Sequence, residues 1–94
     1  MKIYVDIDGT ICTQCVNYSD AEPIKEAIDK INALYDADNE IVYWTARGGT
    51  SGKDWTYVTT QQLKEWGCRY NELRFGKPDY DILFDDKAVR LNQQ

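Results

Sequence analysis

Six residues of this 94-residue chain have the types and positions for shared chemistry. Asp6 and Asp8 stand at the end of one hydrophobic run, Thr45 at the end of a second, Lys77 just past a third, and Asp85 with Asp86 just past a fourth. Four carboxylates brought into one crevice repel strongly unless protons or a cation offset them, and a divalent metal does this most economically. A few protein oxygens, completed by water and the oxygens of a phosphate, suit Mg²⁺. The Thr45 hydroxyl and the Lys77 ammonium add the hydrogen bond and the positive charge that a phosphoryl group needs. The chain has no histidine, which excludes Ser-His-Asp and Cys-His catalysis and any zinc site that uses imidazole. Each of the six alone also has an ordinary structural role: Asp8-Gly9 is a common turn, Thr45 suits a strand, Gly76-Lys77-Pro78 suits a loop, and Asp85-Asp86 can cap a helix. Only their convergence would make a site.

Convergence depends on the elements that carry them. Residues 2–7 form a β-branched and aromatic run that stops at Asp8-Gly9-Thr10, which predicts a buried strand and a turn. Residues 11–21 show no clear period and read as a loop or small flap. Ile24, Ile28, Ile31 and Leu34 recur at helical spacing behind Pro23, which predicts an amphipathic helix with Pro23 in its first turn, ending near Tyr35. Residues 40–45 predict a second buried strand. A glycine-rich loop follows over 47–52, and Trp55, Val58, Leu63 and Trp66 mark a second helix. Thr59 with Gln62 matches a capping box, so that helix could begin late, and Gly67 stops it. Residues 72–75 and 80–84 predict two more strands, and 88–91 a short closing helix. The order β-α-β-α-β-β-α predicts an α/β fold, a Rossmann-like three-layer sandwich with a mostly parallel central sheet covered on both faces. In such sheets the ligand crevice lies beyond the carboxyl ends of the strands, where the six residues fall.

Length and composition set the outer limits. A chain of this size buries roughly 65 % of the surface its unfolded form exposes, enough for one core, so residues 1–94 are expected to be a single domain. No apolar run approaches the ~20 residues of a membrane span, and acids within the first residues do not suit a signal or transit peptide. With three cysteines, an odd number, a secreted disulfide framework is disfavoured and a cytoplasmic location is expected. The net charge of −5 argues against sequence-independent nucleic-acid binding. That charge is uneven: residues 1–45 carry three Lys against nine acids, whereas residues 46–79 carry six Lys and Arg against four acids.

The constellation resembles the haloacid dehalogenase (HAD) superfamily, whose phosphatases carry four motifs in this order on a Rossmann-like sheet. The Asp-x-Asp-Gly-Thr motif stands as Asp6-Ile7-Asp8-Gly9-Thr10 behind Ile3-Tyr4-Val5. The hydrophobic strand ending in Thr stands as Ile41-Val42-Tyr43-Trp44-Thr45, the motif lysine as Lys77, and the acidic pair as Asp85-Asp86. Trp44-Thr45-Ala46-Arg47 and Phe75-Gly76-Lys77-Pro78 look like small capless bacterial and phage members related to capsule-biosynthesis phosphatases. The resemblance implies a phosphatase acting through an aspartyl-phosphate. Asp6 would be the nucleophile and Asp8 the general acid/base, which requires surroundings that raise its pKa. Thr45 and Lys77 would hold the phosphoryl group. Asp6, the Asp8 carbonyl and Asp85 would bind Mg²⁺, with Asp86 acting through water or by orienting other groups. HAD dehalogenases lack the second acid, so Asp8 favours phosphoryl transfer.

Substrate choice in the family usually comes from a cap domain. Fourteen residues separate Asp8 from Pro23 and thirty-one separate Thr45 from Lys77, too few for one, so a capless, open crevice is expected. That suits a large phosphorylated substrate, an oligomer in which a neighbour supplies the lid, or low selectivity among sugar phosphates and nucleotides, with a phosphorylated sugar slightly favoured by the resemblance. Thr45, Ala46, Arg47 and Lys77 are the expected substrate-binding residues. Arg47 and Lys53, on the glycine-rich loop, would meet a second anionic group at the crevice mouth or remain solvated loop cations. Cys12-Thr13-Gln14-Cys15 has CxxC spacing, but a tetrahedral zinc site would need two more soft ligands and only Cys68 remains. The tryptophans and tyrosines read as core or cover. Two other classes fit part of the pattern: a receiver-like phosphoacceptor module, which also combines an acid pair, an acceptor Asp, a Thr and a Lys, and an inactive binding protein on a HAD fold.

Overall fold

The computed structural model describes residues 1–49 and 52–77. Three parallel strands, β1 (Lys2–Val5), β2 (Glu40–Trp44) and β3 (Glu72–Arg74), form one sheet in the order β1-β2-β3. Ile3 lies opposite Ile41, Val5 opposite Tyr43, and Tyr43 opposite Leu73. Side chains alternate across a strand, so these five share one face. Helices α1 (Lys25–Asp36) and α2 (Thr56–Glu65) connect the strands. Ile28 and Ile31 of α1 and Leu63 of α2 join Ile3, Val5, Ile41 and Tyr43 in a single buried cluster, so both helices pack on that face. Both described helices lie on this one face, and Val42, whose place in β2 puts it on the opposite face, is fully buried as well. Successive right-handed crossovers that step in one direction across a parallel sheet deliver every helix to the same side. The strand expected over 80–84 and the helix expected over 88–91 lie outside the described residues.

Element boundaries moved for local reasons. β1 ends at Val5, so Asp6 already lies beyond the strand. Pro23 is not in the first turn of α1: it pairs with Cys12 in an antiparallel bridge, and the Ile24 N–H donates to the Ile11 carbonyl at 2.8 Å. α1 starts only at Lys25, and Ile24, the first of the four apolar residues at helical spacing, is 38 % exposed. Asn32 takes a place on the buried face instead. Its amide donates to the Gly67 carbonyl at 2.9 Å and its oxygen accepts the Arg69 N–H at 2.8 Å, which fixes the turn leading into β3. α2 begins early, at Thr56, whose N–H donates to the Asp54 carboxylate at 2.9 Å. It stops where predicted: Gly67 adopts φ +71°, and the Cys68 N–H returns to the Leu63 carbonyl at 3.0 Å, a glycine-terminated helix end.

Two of the three isoleucines of the α1 pattern, Ile31 and Ile24, should separate cleanly in a stability measurement. Ile31→Ala, at a fully buried position, should cost about 2–4 kcal/mol by urea denaturation. Ile24→Ala should cost roughly 0.5 kcal/mol or less.

Candidate active site

The ladder of hydrogen bonds outlasts the strands, and that extension builds the site. Beyond β2, the Thr45 N–H donates to the Arg74 carbonyl at 2.9 Å and the Thr45 carbonyl accepts the Lys77 N–H at 3.1 Å. Thr45 and Lys77 are thereby held side by side next to Asp6. The Lys77 ammonium lies 3.1 Å from the Asp6 carboxylate, with side chains only 14 % and 11 % exposed. After Asp6 the chain turns sharply: the Thr10 and Ile11 N–H groups both donate to the Ile7 carbonyl, and the Gly9 N–H donates to the Cys12 carbonyl at 2.9 Å. Gly9 has φ +80°, a conformation that side chains resist and glycine accepts. This turn presents Asp8 to the space outside the strand ends.

Asp6, Asp8, Thr45, Ala46, Arg47 and Lys77 all line one cavity of about 540 Å³, within the usual range for small-molecule sites. Its remaining wall includes Trp44 and the segment Gln14, Cys15, Val16 and Tyr18. The expected open crevice thus has one built side. That wall is tied down: Gln62 Nε2 donates to the Tyr18 carbonyl at 2.7 Å, and the Tyr18 ring meets Trp55 edge to face at 5.0 Å. At the base of the segment, the Glu22 N–H donates to the Thr13 hydroxyl and the Thr13 N–H to the Glu22 carbonyl, both at 2.9 Å.

Arg47 occupies a place that its sequence context did not suggest. Its side chain is fully buried, so it is neither a solvated loop cation nor a group at the crevice mouth. Nη2 and Nε grip Asp8 side-on, at 2.8 Å to Oδ1 and 3.0 Å to Oδ2. Nη1 donates to Thr59 Oγ1 at 3.0 Å and Gln62 Oε1 at 2.7 Å, and Nη2 also reaches Cys12 Sγ at 3.8 Å. The guanidinium lies over the Tyr18 ring, 4.8 Å from its centre. The expected capping box is therefore corrected: Thr59 and Gln62 lie inside α2, on one face of the helix, and serve Arg47. Lys53 rests over the Trp55 ring at 4.6 Å and is not part of the cavity lining.

Cys12 belongs to the same cluster. Its one thiol hydrogen has two acceptors within reach, the Ile7 carbonyl and Asp8 Oδ1, each 3.6 Å from Sγ. Burial, reinforced by the Asp8 charge, pushes its pKa up to about 12. Burial likewise pushes the Cys68 thiol up to about 11. Burial thus favours the protonated thiol at both positions.

Among the described residues, no three His, Cys, Asp or Glu side chains gather as a metal cluster. Asp85 and Asp86 lie outside the described residues, so two of the four expected acids, Asp6 and Asp8, are brought together. Both offer hard oxygen at the cavity, the donor type that Mg²⁺ takes. Sequence reasoning missed Thr59, Gln62, Tyr18 and Cys12. The one available signal is the Thr59/Gln62 spacing, which matches a capping box and equally places two polar side chains on one face of a helix.

The described chain is a small α/β protein with a parallel sheet and a polar cavity at the carboxyl ends of its strands. It is similar in fold to a crystal structure of an MCSG target protein from Vibrio cholerae, with a TM-score of 0.78 and 29 % identity, over 95 % of this chain and 82 % of the other. No protein-family model and no curated protein matches the chain. Among the described residues, no helix is long and apolar enough to cross a membrane.

Thiol labelling should follow this packing. At pH 8.5 iodoacetamide should modify Cys15, which is half-buried, and leave Cys12, whose thiol is buried and held protonated, untouched. Unfolding in urea should expose all three. Because the folded chain holds the Cys12 and Cys68 protons more tightly than the unfolded chain, whose thiols titrate near 9, these groups stabilise it below that pH. Stability should fall as pH rises from about 9 towards 12.

Proposed function

We propose that this protein is a Mg²⁺-dependent phosphatase of the HAD type, hydrolysing a phosphate monoester through an aspartyl-phosphate on Asp6. The observation that carries the reading is the buried Asp6–Lys77 pair at 3.1 Å, with Asp8 and Thr45 on the same cavity. A carboxylate set against an ammonium, beside a hydroxyl and a second carboxylate, is the equipment for receiving a phosphoryl group and moving one proton.

The steps follow from the residues. An Asp6 oxygen attacks phosphorus, and the bond to the ester oxygen breaks as the acyl phosphate forms. Asp8, having first taken up a proton from solvent, gives it to the departing oxygen, so the product leaves as an alcohol. Asp8, now a carboxylate, takes a proton from water as that water attacks phosphorus; phosphate departs and Asp6 is restored. The Thr45 hydroxyl accepts the Arg47 backbone N–H at 3.1 Å, which leaves its own proton to donate to a phosphoryl oxygen. Lys77 offsets the negative charge that grows as one anion approaches another. Asp6 and the Asp8 carbonyl, with Asp85, are the groups that would hold Mg²⁺, and the ion would supply further positive charge to the phosphoryl oxygens. A phosphorylated sugar, a nucleotide or a larger phosphorylated partner remains the proposed substrate range.

Hydrolysis of para-nitrophenyl phosphate tests this directly. Turnover should require Mg²⁺, stop with EDTA, fall to the buffer rate in Asp6→Asn, and drop about 10²–10⁴-fold in Asp8→Asn. Activity that survives both EDTA and Asp6→Asn would rule the reading out. Stable phosphate incorporation on Asp6 without turnover would point instead to the phosphoacceptor module.

A further inference from the structure

Arg47 carries five N–H donors and no acceptor, and all five have a partner inside the protein. Nε and one Nη2 hydrogen are given to Asp8, the second Nη2 hydrogen points to Cys12, and the two Nη1 hydrogens go to Thr59 and Gln62. A group whose donors are all spent and whose side chain is fully buried has nothing left for a substrate anion. Its contacts with Asp8 are two parallel bonds, the geometry that fixes both the position and the plane of a carboxylate. They also divide the two oxygens. Asp8 Oδ1 accepts Nη2 at 2.8 Å and a longer contact from Nε at 3.3 Å, and lies 3.6 Å from the Cys12 thiol, whereas among the described residues Oδ2 accepts Nε alone, at 3.0 Å. Oδ2 is the oxygen with capacity to spare.

We infer that Arg47 is the positioning residue for Asp8: braced by Thr59 and Gln62 of α2, it holds the carboxyl group so that Oδ2 exchanges the proton with the leaving-group oxygen and then with water. This rests on the phosphatase reading and removes Arg47 from the substrate-binding set. Arg47 acts through Asp8 and takes no proton itself. Lysine cannot replace it, because one ammonium cannot span Asp8, Thr59 and Gln62 at once.

The test compares kcat/KM on an alkyl phosphate, whose poor leaving group needs a proton, with kcat/KM on para-nitrophenyl phosphate, whose leaving group needs little help. Arg47→Lys should lower the first about 10²-fold and the second less than tenfold, with KM nearly unchanged. Combined with Asp8→Asn it should add almost no further loss. Thr59→Val, outside the cavity lining and close to isosteric, should show the same preference more weakly, and it keeps the test decisive if Arg47→Lys folds poorly. An increase in KM at constant kcat would make Arg47 a substrate ligand and overturn the inference; so would equal losses on both substrates, or losses additive with Asp8→Asn. A wild-type chain inactive on both substrates overturns the phosphatase reading itself, whereas failure in the variants alone overturns only the role of Arg47.

Discussion

A guanidinium removed from water must be met by a counter-charge and by acceptors for each of its hydrogens, and the described fold is organised around meeting that demand at Arg47. Leaving such a group with its partner removed costs on the order of 3–5 kcal/mol, a large share of the stability of a chain this short. Four parts of the chain meet here, three of them answering the fourth. The turn after β1 supplies Asp8 and Cys12, the segment 14–18 lays Tyr18 against the guanidinium, α2 supplies Thr59 and Gln62, and the extension of β2 supplies Arg47 itself. One buried charge therefore couples the placement of a carboxylate to the packing of a helix two elements away.

The same cluster explains why a site without a cap domain still has walls. Gln62 serves two partners at once, accepting from Arg47 and donating to the Tyr18 carbonyl. Tyr18 in turn sits between Arg47 and the Trp55 edge. The segment that closes one side of the cavity is anchored by the residues that brace Arg47, so the shape of the cavity and the position of Asp8 have a common cause. On the other side, Asp6 and Lys77 form a second, separate charge pair. Each of the two carboxylates on the first motif thus has its own cation, and the basic middle of the chain supplies both.

Much of the described frame was legible in the residues. The three strands, the interruption after α1 and the glycine stop of α2 follow from β-branched runs, turn chemistry and a position that requires positive φ. So does the meeting of Asp6, Thr45 and Lys77, because parallel strands end on the same edge of a sheet. What was misread had a shared physical origin. Pro23, Ile24, Thr59 and Gln62 were each interpreted from their neighbours in sequence, yet each is governed by a group far along the chain or across the fold. Pro23 answers to Cys12 through a bridge, and Thr59 and Gln62 answer to a buried cation. The pairing of both helices with one sheet face likewise depends on strand order, which local periodicity does not encode.

By itself the sequence determined which residue types stand at the strand ends and, through the absence of histidine, which catalytic chemistries are closed to the chain. Those are properties of composition and spacing, available before folding. Tertiary structure alone decided that Arg47 points inward to Asp8 rather than outward to solvent. A charged side chain on a glycine-rich loop has both choices open, and the inward one becomes favourable only when a carboxylate and a thiol from the turn after β1 and a hydroxyl and an amide from α2 arrive to share its five hydrogens.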